Sequence, residues 1–399
     1  MRRLFWTHFF SSLLVVVALA QWICAVWLLR ELAGVQLGRT ANAAGPVLLY
    51  CLNRLIVTRR MPPPGVTRTL RRAYTGAAFT SLFGLLFLAL CGLVWLLTTL
   101  GAGAVALAAG DAPNTAPVAQ TLRAVATGGL LAISGMMAYG YSIGQRRLWI
   151  NRVAVPVERL PPGLEGFRVV QISDVHLGGF TSPDRVARYV ERANALNPDL
   201  TVITGDITDG LDHAAETFPI LGRLRARHGV IAILGNHDVY TGEQEVADAL
   251  GMHTQMRVLL DETAQVDVGG EALHVVGLRD RGLDWARGLP ECGELKRLWS
   301  EVPDGAPALL LCHRPDLFGY AAGLGVPLML SGHTHGGQVA LPIAPGRSAT
   351  LARFMTRYPG GTYREANSFL HVNLGLGLTG QPVRFGCPRE ITEITLTAA

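Results

Sequence analysis

Charge is scarce in this 399-residue chain. Only 16% of its residues are Asp, Glu, Lys or Arg, too few for a protein wholly in water, so part of the chain is expected in lipid. Lysine is nearly missing. Lys296 stands alone, and arginine carries the rest of the basic charge. An Arg, Ala, Leu and Gly bias of this kind follows genome composition, and the arginines gather into no single stripe, so no nucleic-acid partner is expected. The six cysteines, Cys24, Cys51, Cys91, Cys292, Cys312 and Cys387, form no CxxC pair and no framework spacing. That predicts a reducing compartment and no disulfides. Internal repeats and long low-complexity linkers are missing too, and the length suits one large domain or two ordinary ones.

Apolar sequence is what the chain has in quantity, 49% of its residues, and it is unevenly placed. Phe9–Leu29 and Tyr74–Leu100 run for at least the ~20 residues a helix needs to cross a bilayer. Ala124–Ile143 is a third candidate, rich in Gly and Ala as packed membrane helices are. Ala41–Val57 is a fourth, with Asn53 and Arg54 near one end; it either spans, its arginine reaching the headgroups, or lies in the interface. The start Met1-Arg2-Arg3 would suit a signal peptide, but the first run is long and no small-residue cleavage site follows, so an uncleaved anchor is expected. Residues 1–150 therefore read as a region of three or four transmembrane helices.

Orientation follows from the arginines. Thr58–Arg72 holds Arg59, Arg60, Arg68, Arg71 and Arg72, and Arg146, Arg147 and Arg152 follow the last span, whereas Gly101–Arg123 is almost uncharged. Two spans separate the basic segments, so both face one side, and the positive-inside rule makes that side the cytoplasm. Residues 151–399 would then lie in the cytosol, attached to the inner (cytoplasmic) membrane.

From Asn151 onward short apolar runs alternate with polar, helical stretches. Phe167–Ser173, Leu200–Thr204, Val230–Leu234, Ala308–Cys312 and Pro327–Ser331 read as buried strands. Ser182–Leu196 and Gly242–Gly251 read as helices, Val266–Gly277 as a hairpin around Gly269-Gly270, and Glu390–Leu396 as a closing strand. Repeated strand–loop–helix units imply an α/β domain whose helices cover a sheet and whose chemistry gathers at the strand ends.

Those ends are where metal-binding residue types fall. The first strand runs into Ser173-Asp174-Val175-His176, the second into Gly205-Asp206-Ile207-Thr208-Asp209, and the third into Gly235-Asn236-His237-Asp238. The fourth runs into Cys312-His313-Arg314-Pro315-Asp316. The last runs into Gly332-His333-Thr334-His335-Gly336-Gly337. Carboxylate, amide and imidazole donors together suit Mn²⁺, Fe or Zn²⁺. An Asp-x-His or His-x-His pair leaving a strand is expected to point both side chains to one side, and Cys312 to point away from His313. Singly, each element is weak: a Gly-Asp is more often a turn, and a buried His more often a hydrogen-bonded core residue. Five in order, each at a strand end, point to a site for two metal ions.

This order, Asp-x-His, Gly-Asp-x-x-Asp, Gly-Asn-His-Asp, His and Gly-His-x-His, resembles the calcineurin-like metallophosphoesterase superfamily from about Arg168 to Leu396. The tail, with Asn373-Leu374-Gly375-Leu376-Gly377, Pro382-Val383-Arg384-Phe385 and Pro388-Arg389-Glu390-Ile391, resembles a bacterial, often membrane-anchored branch. That branch includes UDP-2,3-diacylglucosamine pyrophosphatases. Asn373-Leu374 departs from its pattern, where a small polar or basic residue precedes the glycines, and the apolar first 150 residues lie outside the resemblance.

The resemblance implies an α/β fold, a metallophosphoesterase-type β-sandwich flanked by helices, as a catalytic domain over residues 151–399. It implies two divalent ions, Mn²⁺ first and Fe or Zn²⁺ as alternatives. Asp174, His176, Asp206 and His335 would hold one. Asp206, Asn236, His313 and His333 would hold the other, with Asp206 bridging. Such a pair acidifies a shared water and clamps phosphate oxygens for in-line attack. His237 would stabilise charge or protonate the leaving oxygen, and Asp209 would orient it. Arg279, Arg281 and Arg384 read as solvated surface residues that could otherwise meet a substrate phosphate. The leading expectation is a membrane-anchored phosphodiesterase or pyrophosphatase acting on a lipid-linked substrate such as UDP-2,3-diacylglucosamine. The competing ones are a tethered phosphodiesterase or phosphatase for soluble nucleotides or phosphoproteins, and a non-catalytic scaffold.

Overall fold

The structure, a computed structural model, describes residues 2–58, 66–109, 115–178, 180–282, 292–344 and 347–399. Met1, from the anchor argument, and Arg59 and Arg60, from the orientation argument, lie outside the described residues. The chain divides into two compact units, Met1–Tyr141 and Ser142–Ala399.

The first unit consists of the helices α1 (Arg2–Ala33), α2 (Arg39–Thr58), α3 (Val66–Ala109) and α4 (Ala116–Ser142). Among the described residues, three segments are long and apolar enough to cross a membrane: Ser11–Ala33, Thr69–Ala106 and Ala116–Arg146. The fourth predicted segment, Ala41–Val57, is helical within α2 but is not one of them. Its polar content has a packing use. Asn53 is buried, donates to Gln21 Oε1 at 2.8 Å and accepts the Tyr74 hydroxyl at 2.8 Å, so it joins α1, α2 and α3. With little water in such surroundings, an amide side chain needs partners of this kind.

The second unit is built on two six-stranded sheets. The first contains β1 (Leu148–Val157), β2 (Arg168–Ile172), β3 (Leu200–Thr204), β4 (Val230–Ile233), β5 (Arg257–Val258) and β14 (Arg389–Ala398), in the order β1-β14-β2-β3-β4-β5. The second contains β6 (Glu262–Val268), β7 (Glu271–Gly277), β8 (Ala308–Leu311), β9 (Leu328–Ser331), β12 (Gly361–Glu365) and β13 (Ser368–Val372), in the order β12-β13-β9-β8-β7-β6. A two-stranded sheet pairs β10 (Ala340–Ala344) with β11 (Arg347–Thr350). Strands β2, β3 and β4 are mutually parallel, as are β8 and β9.

Alternation along the strands explains the layering. Val169, Leu200, Val202, Ile231 and Ile233 of the first sheet share one core with Val275, Leu309, Leu311, Leu328 and Leu330 of the second. Their neighbours point outward. Val170, Ile172 and Ile203 pack under α5 (Pro183–Asn194), α6 (Ala214–Leu221) and α7 (Asn236–His253). Val276, Leu310 and Met329 pack under α8 (Gly293–Trp299) and α9 (Phe318–Gly323). Buried on both faces, these strands read as unbroken apolar runs, which is why they are visible in the sequence. The fold is the expected mixed α/β one, two sheets face to face with helices outside.

The helix expected over Gly242–Gly251 begins earlier, at Asn236, and Gly242 breaks it with φ 125°. Its first turn is stabilised by Asp238, whose carboxylate accepts the Gly235 N–H at 2.9 Å. That turn puts Asn236 and His237 at a helix N-terminus.

Candidate metal centre

Parallel pairing sends β2, β3 and β4 in one direction and β8 and β9 together in the other sheet, and their trailing loops meet. The Gln171 side chain donates to Ser331 O across the sandwich at 2.9 Å, and His313 Nδ1 donates to Thr204 O at 2.7 Å. Beyond the strands the loops keep pairing: Asp174 N bonds Gly205 O, and His176 N bonds Asp206 O. Gly205, at φ +91°, has no room for a side chain, since a Cβ would lie 2.6 Å from His313 Nδ1. A Cβ on Gly235 would collide with Asp206 Oδ1. Both glycines let loop backbones close around the same point.

The pleat expectation for the Asp-x-His and His-x-His pairs needs correcting. Asp174, His176, Asp206, His333 and His335 all have φ between 47° and 71°, in the left-handed region. Non-glycine residues seldom adopt it, and a cluster of them marks a functional site. The side chains converge because the backbone turns, not because a strand alternates. Cys312 is buried among apolar side chains outside the second sheet, away from the site.

Three groups of potential ligands result among the described residues. Asp174, His176 and His335 form the first, Asp206, His313 and His333 the second, and His176, Asp209 and His237 a third at the rim. In the first, His335 Nε2 lies 3.3 Å from Asp174 Oδ1 and 3.1 Å from His176 Nε2. In the second, His313 Nε2 lies 3.2 Å from Asp206 Oδ2. Asp206 Oδ2 is also 3.7 Å from His176 Nε2, which puts this carboxylate between the groups. His333 and His335, two residues apart, thus enter different groups. Asn236 is buried beside them in the same cavity wall as Asp206 and His333.

A cation fits this donor set. Asn236 Oδ1 is buried without a hydrogen-bond partner, a state that costs about 1–3 kcal/mol unless something else binds it. His313 Nε2, whose ring gives its Nδ1 proton to Thr204 O, faces Asp206 Oδ2. Electrostatics agrees. Burial alone would lower the His313 pKa, but the Asp206 charge raises it to about 10, so this point demands a positive charge. Burial and the neighbouring His313 hold His333 down at about 3, and burial with His176 keeps His335 well below its ordinary value. Neutral imidazoles are the form that ligates metal.

Asp209 and His237 sit at the rim. Asp209 Oδ1 accepts from His237 Nδ1 at 2.9 Å and from His176 Nδ1 at 2.7 Å. Burial would raise this carboxyl, but the two imidazoles outweigh it and hold it at about 2. The His237 backbone N–H donates to Asp206 Oδ1 at 2.8 Å. The ring is one-third exposed and lines a cavity of about 640 Å³ together with Tyr240, Arg314, His333, His335 and Gln338, a volume suited to a small-molecule ligand.

Three residues of the site escaped sequence reasoning. Asp238, fully buried, accepts the N–H groups of Ile207 and Thr208 as well as Gly235, so it ties the Asp206 loop to the start of α7. Its spacing from Gly235, that of a capping box, is the signal that was available. Arg314 lines the cavity with its guanidinium fixed by Asp280, at 2.7 and 3.3 Å, and by Gly282 O. Arg384 is not a solvated surface arginine. It is buried, donates to the carbonyls of Leu374, Gly375, Gly377, Cys387 and Pro388, and comes within 3.3 Å of His335 Nδ1. Arg279 and Arg281 are half-buried and ion-paired, Arg279 with Glu243 and Asp261, and Arg281 with Asp261 and Glu294.

A model of the family described as calcineurin-like phosphoesterase matches residues 167–337. The chain is 33% identical over 283 residues to an uncharacterized metallophosphoesterase of Bacillus subtilis, YkuE, covering 68% of this chain and 93% of that one. It is 32% identical over 273 residues to a bovine protein (Bos taurus) described as a transmembrane protein with metallophosphoesterase domain, covering 63% of this chain. It is 30% identical over 246 residues to an uncharacterized metallophosphoesterase of Campylobacter jejuni, Cj0846, covering 61% of this chain. The match spans 57% of the bovine protein's length and 62% of the Campylobacter protein's.

Proposed function

Because this chain belongs to the calcineurin-like metallophosphoesterase family, we propose that it is a membrane-associated phosphohydrolase using two divalent ions. Its reaction would be the hydrolysis of a phosphodiester or pyrophosphate bond in a lipid-linked substrate. The observation that carries this reading is the placement of Asp206 between two ligand groups, facing His313 Nε2 and next to the unpartnered Asn236 Oδ1. Asp174, His176, Asp206 and His335 would hold one ion, and Asp206, Asn236, His313 and His333 the other. Mn²⁺ is the proposed metal, in keeping with the oxygen and imidazole donors. When bound, the two ions supply Lewis acidity that activates water and neutralises phosphoryl oxygens.

The protein's own groups do the rest. Asp209 holds His237 through Nδ1, which leaves Nε2 to donate a proton to the departing oxygen. Asp238 keeps Asp206 in place by gripping the two N–H groups that follow it. Arg314, braced by Asp280, presents a fixed cation to a second anionic group of the substrate.

Residues 1–150 would form the membrane region, in the cytoplasmic membrane, and residues 151–399 the catalytic domain on its cytoplasmic side. Three apolar helices exceed what tethering requires, since one helix anchors effectively irreversibly. That surplus supports a substrate carried by the bilayer, with UDP-2,3-diacylglucosamine the compound the tail motifs suggest.

The test is a comparison on the full-length protein, supplied with Mn²⁺, Fe or Zn²⁺, of bis-p-nitrophenyl phosphate and UDP-2,3-diacylglucosamine in mixed micelles. Turnover of both, with two ions per chain by elemental analysis, is expected. Turnover of neither overturns the enzyme; turnover of the soluble ester alone overturns the lipid substrate. A reporter active only outside the cytoplasm should be silent after Ala399 and active near Asn114, and the reverse would move the site to the other face.

A further inference from the structure

Next to the metal cavity the catalytic unit presents apolar side chains to solvent in one run of sequence. Strands β10 and β11 expose Leu341 at 47% and Ile343 at 65%, and the turn that follows exposes Leu351 at 52%, Phe354 at 89% and Met355 at 84%. The unit's other exposed large apolar residues among those described, Ile143, Trp149, Tyr240 and Met252, are scattered along the chain. Isolated exposures of that kind are ordinary; a gathered set marks an interaction surface.

The run is firmly mounted. Ala340 and Ala352 are buried beneath it, Ala340 N bonds Phe385 O at 2.8 Å, and Thr350 Oγ1 donates to Gly336 O at 2.8 Å, one residue past His335. Thr356, at its far end, donates to Asp316 at 2.7 Å. Ala352, Met355 and Thr356 also line the cavity that His333 and His335 line. Of the exposed apolar residues, Met355 is therefore also part of the cavity wall, and the others lie along the same run.

Charge says what would cover them. From Leu317 to Arg364 the chain has no Asp or Glu, while Arg347, Arg353, Arg357 and Arg364 fall within its second half. Arg353 and Arg357 are exposed, on either side of Phe354 and Met355. Protruding apolar residues with arginines and no acid are the composition of a segment that lies in an anionic membrane interface. A bilayer is also at hand for every copy of this chain, since the same chain carries three helices able to cross one.

We infer that Leu341, Ile343, Leu351, Phe354 and Met355 form a lipid-docking edge that enters the bilayer interface and holds the mouth of the metal cavity at the headgroups. Its purpose rests on the proposed hydrolysis of a lipid-linked phosphate; its physical test does not. Full-length protein carrying Phe354→Trp is placed in phosphatidylglycerol nanodiscs with and without lipids brominated on their acyl chains. The emission added over wild type is expected to be blue-shifted and quenched by the bromines. Added emission typical of water, with no quenching beyond wild type, would overturn the inference, whatever the enzyme does.

The second readout is kinetic. The double variant Ile343→Asp, Phe354→Asp touches neither proposed ligand group nor cavity wall. It should raise KM for UDP-2,3-diacylglucosamine in those nanodiscs by about tenfold or more, as loss of an interfacial apolar contact implies, while kcat/KM for bis-p-nitrophenyl phosphate stays at the wild-type value. An equal fall on both substrates would make the edge structural and defeat the docking role. Quenching without hydrolysis of either substrate would leave the docking edge standing and remove the phosphohydrolase.

Discussion

In the helical unit Leu86, Leu97 and Leu100 turn outward with 60% or more of their surface exposed, whereas in the catalytic unit Leu309, Leu311 and Leu330 are shut between two sheets at 1% or less. The residue type is the same and the solvent differs. A helix satisfies its backbone internally and can leave leucine facing lipid. A strand leaves its backbone to its neighbours, so the sheets stack, bury their leucines and deliver polar residues to their ends. The difference has a functional side. In the catalytic unit every proposed ligand follows a strand whose core is fixed by burial on both faces, so the site inherits its precision from apolar packing.

The comparison can be broken most directly at Asp206. With both ligand groups facing it, Asp206→Asn should leave no turnover above background and lose metal by elemental analysis, while circular dichroism stays that of wild type. Retained metal and turnover would separate the polar loops from the function assigned to them. Next in size is His237→Ala, expected to keep its metal and lose roughly 10²–10⁴-fold in kcat, the usual worth of acid–base assistance. A near-wild-type rate would leave His237 a mere partner of Asp209.

Leucine truncations then sharpen the contrast itself. Leu330→Ala, between the sheets and three residues before His333, should cost about 2–5 kcal/mol in the unfolding of the catalytic unit and lower its melting temperature. Leu97→Ala, exposed on α3, should stay within about 0.5 kcal/mol when the full-length protein is denatured in detergent. Equal losses at the two positions would mean that both leucines are buried in the same sense.

Much of the catalytic unit was legible because burial on both faces leaves a plain mark. The runs Leu200–Thr204 and Ala308–Cys312 match β3 and β8 to within a residue. Strand β1 left no such mark. Asn151 and Arg152 interrupt it, and it is held by pairing with β14, some 240 residues away. Strand β13 also depends on a distant partner, since it lies parallel to β9. The residues missed at the site share this cause. Arg384 looks like any surface arginine until five carbonyls are seen around it, and Asp238 looks like a helix-start residue until the N–H groups of Ile207 and Thr208 are found on its carboxylate.

By itself, the sequence determined which stretches are apolar throughout, which alternate with polar helices, and which strand ends carry Asp, Asn and His. Those are local properties, written in residue type and spacing. Only the tertiary structure decided how five loops from two sheets reach one place; the bridging place of Asp206 and the parting of His333 from His335 were already implied by the family resemblance. The reason is physical: these outcomes depend on left-handed turns at Asp174, His176, Asp206, His333 and His335, and on hydrogen bonds that cross the sandwich from Gln171 to Ser331 and from His313 to Thr204. Such turns are unfavourable for an isolated chain, so they exist only where the packed sheets hold the backbone in them.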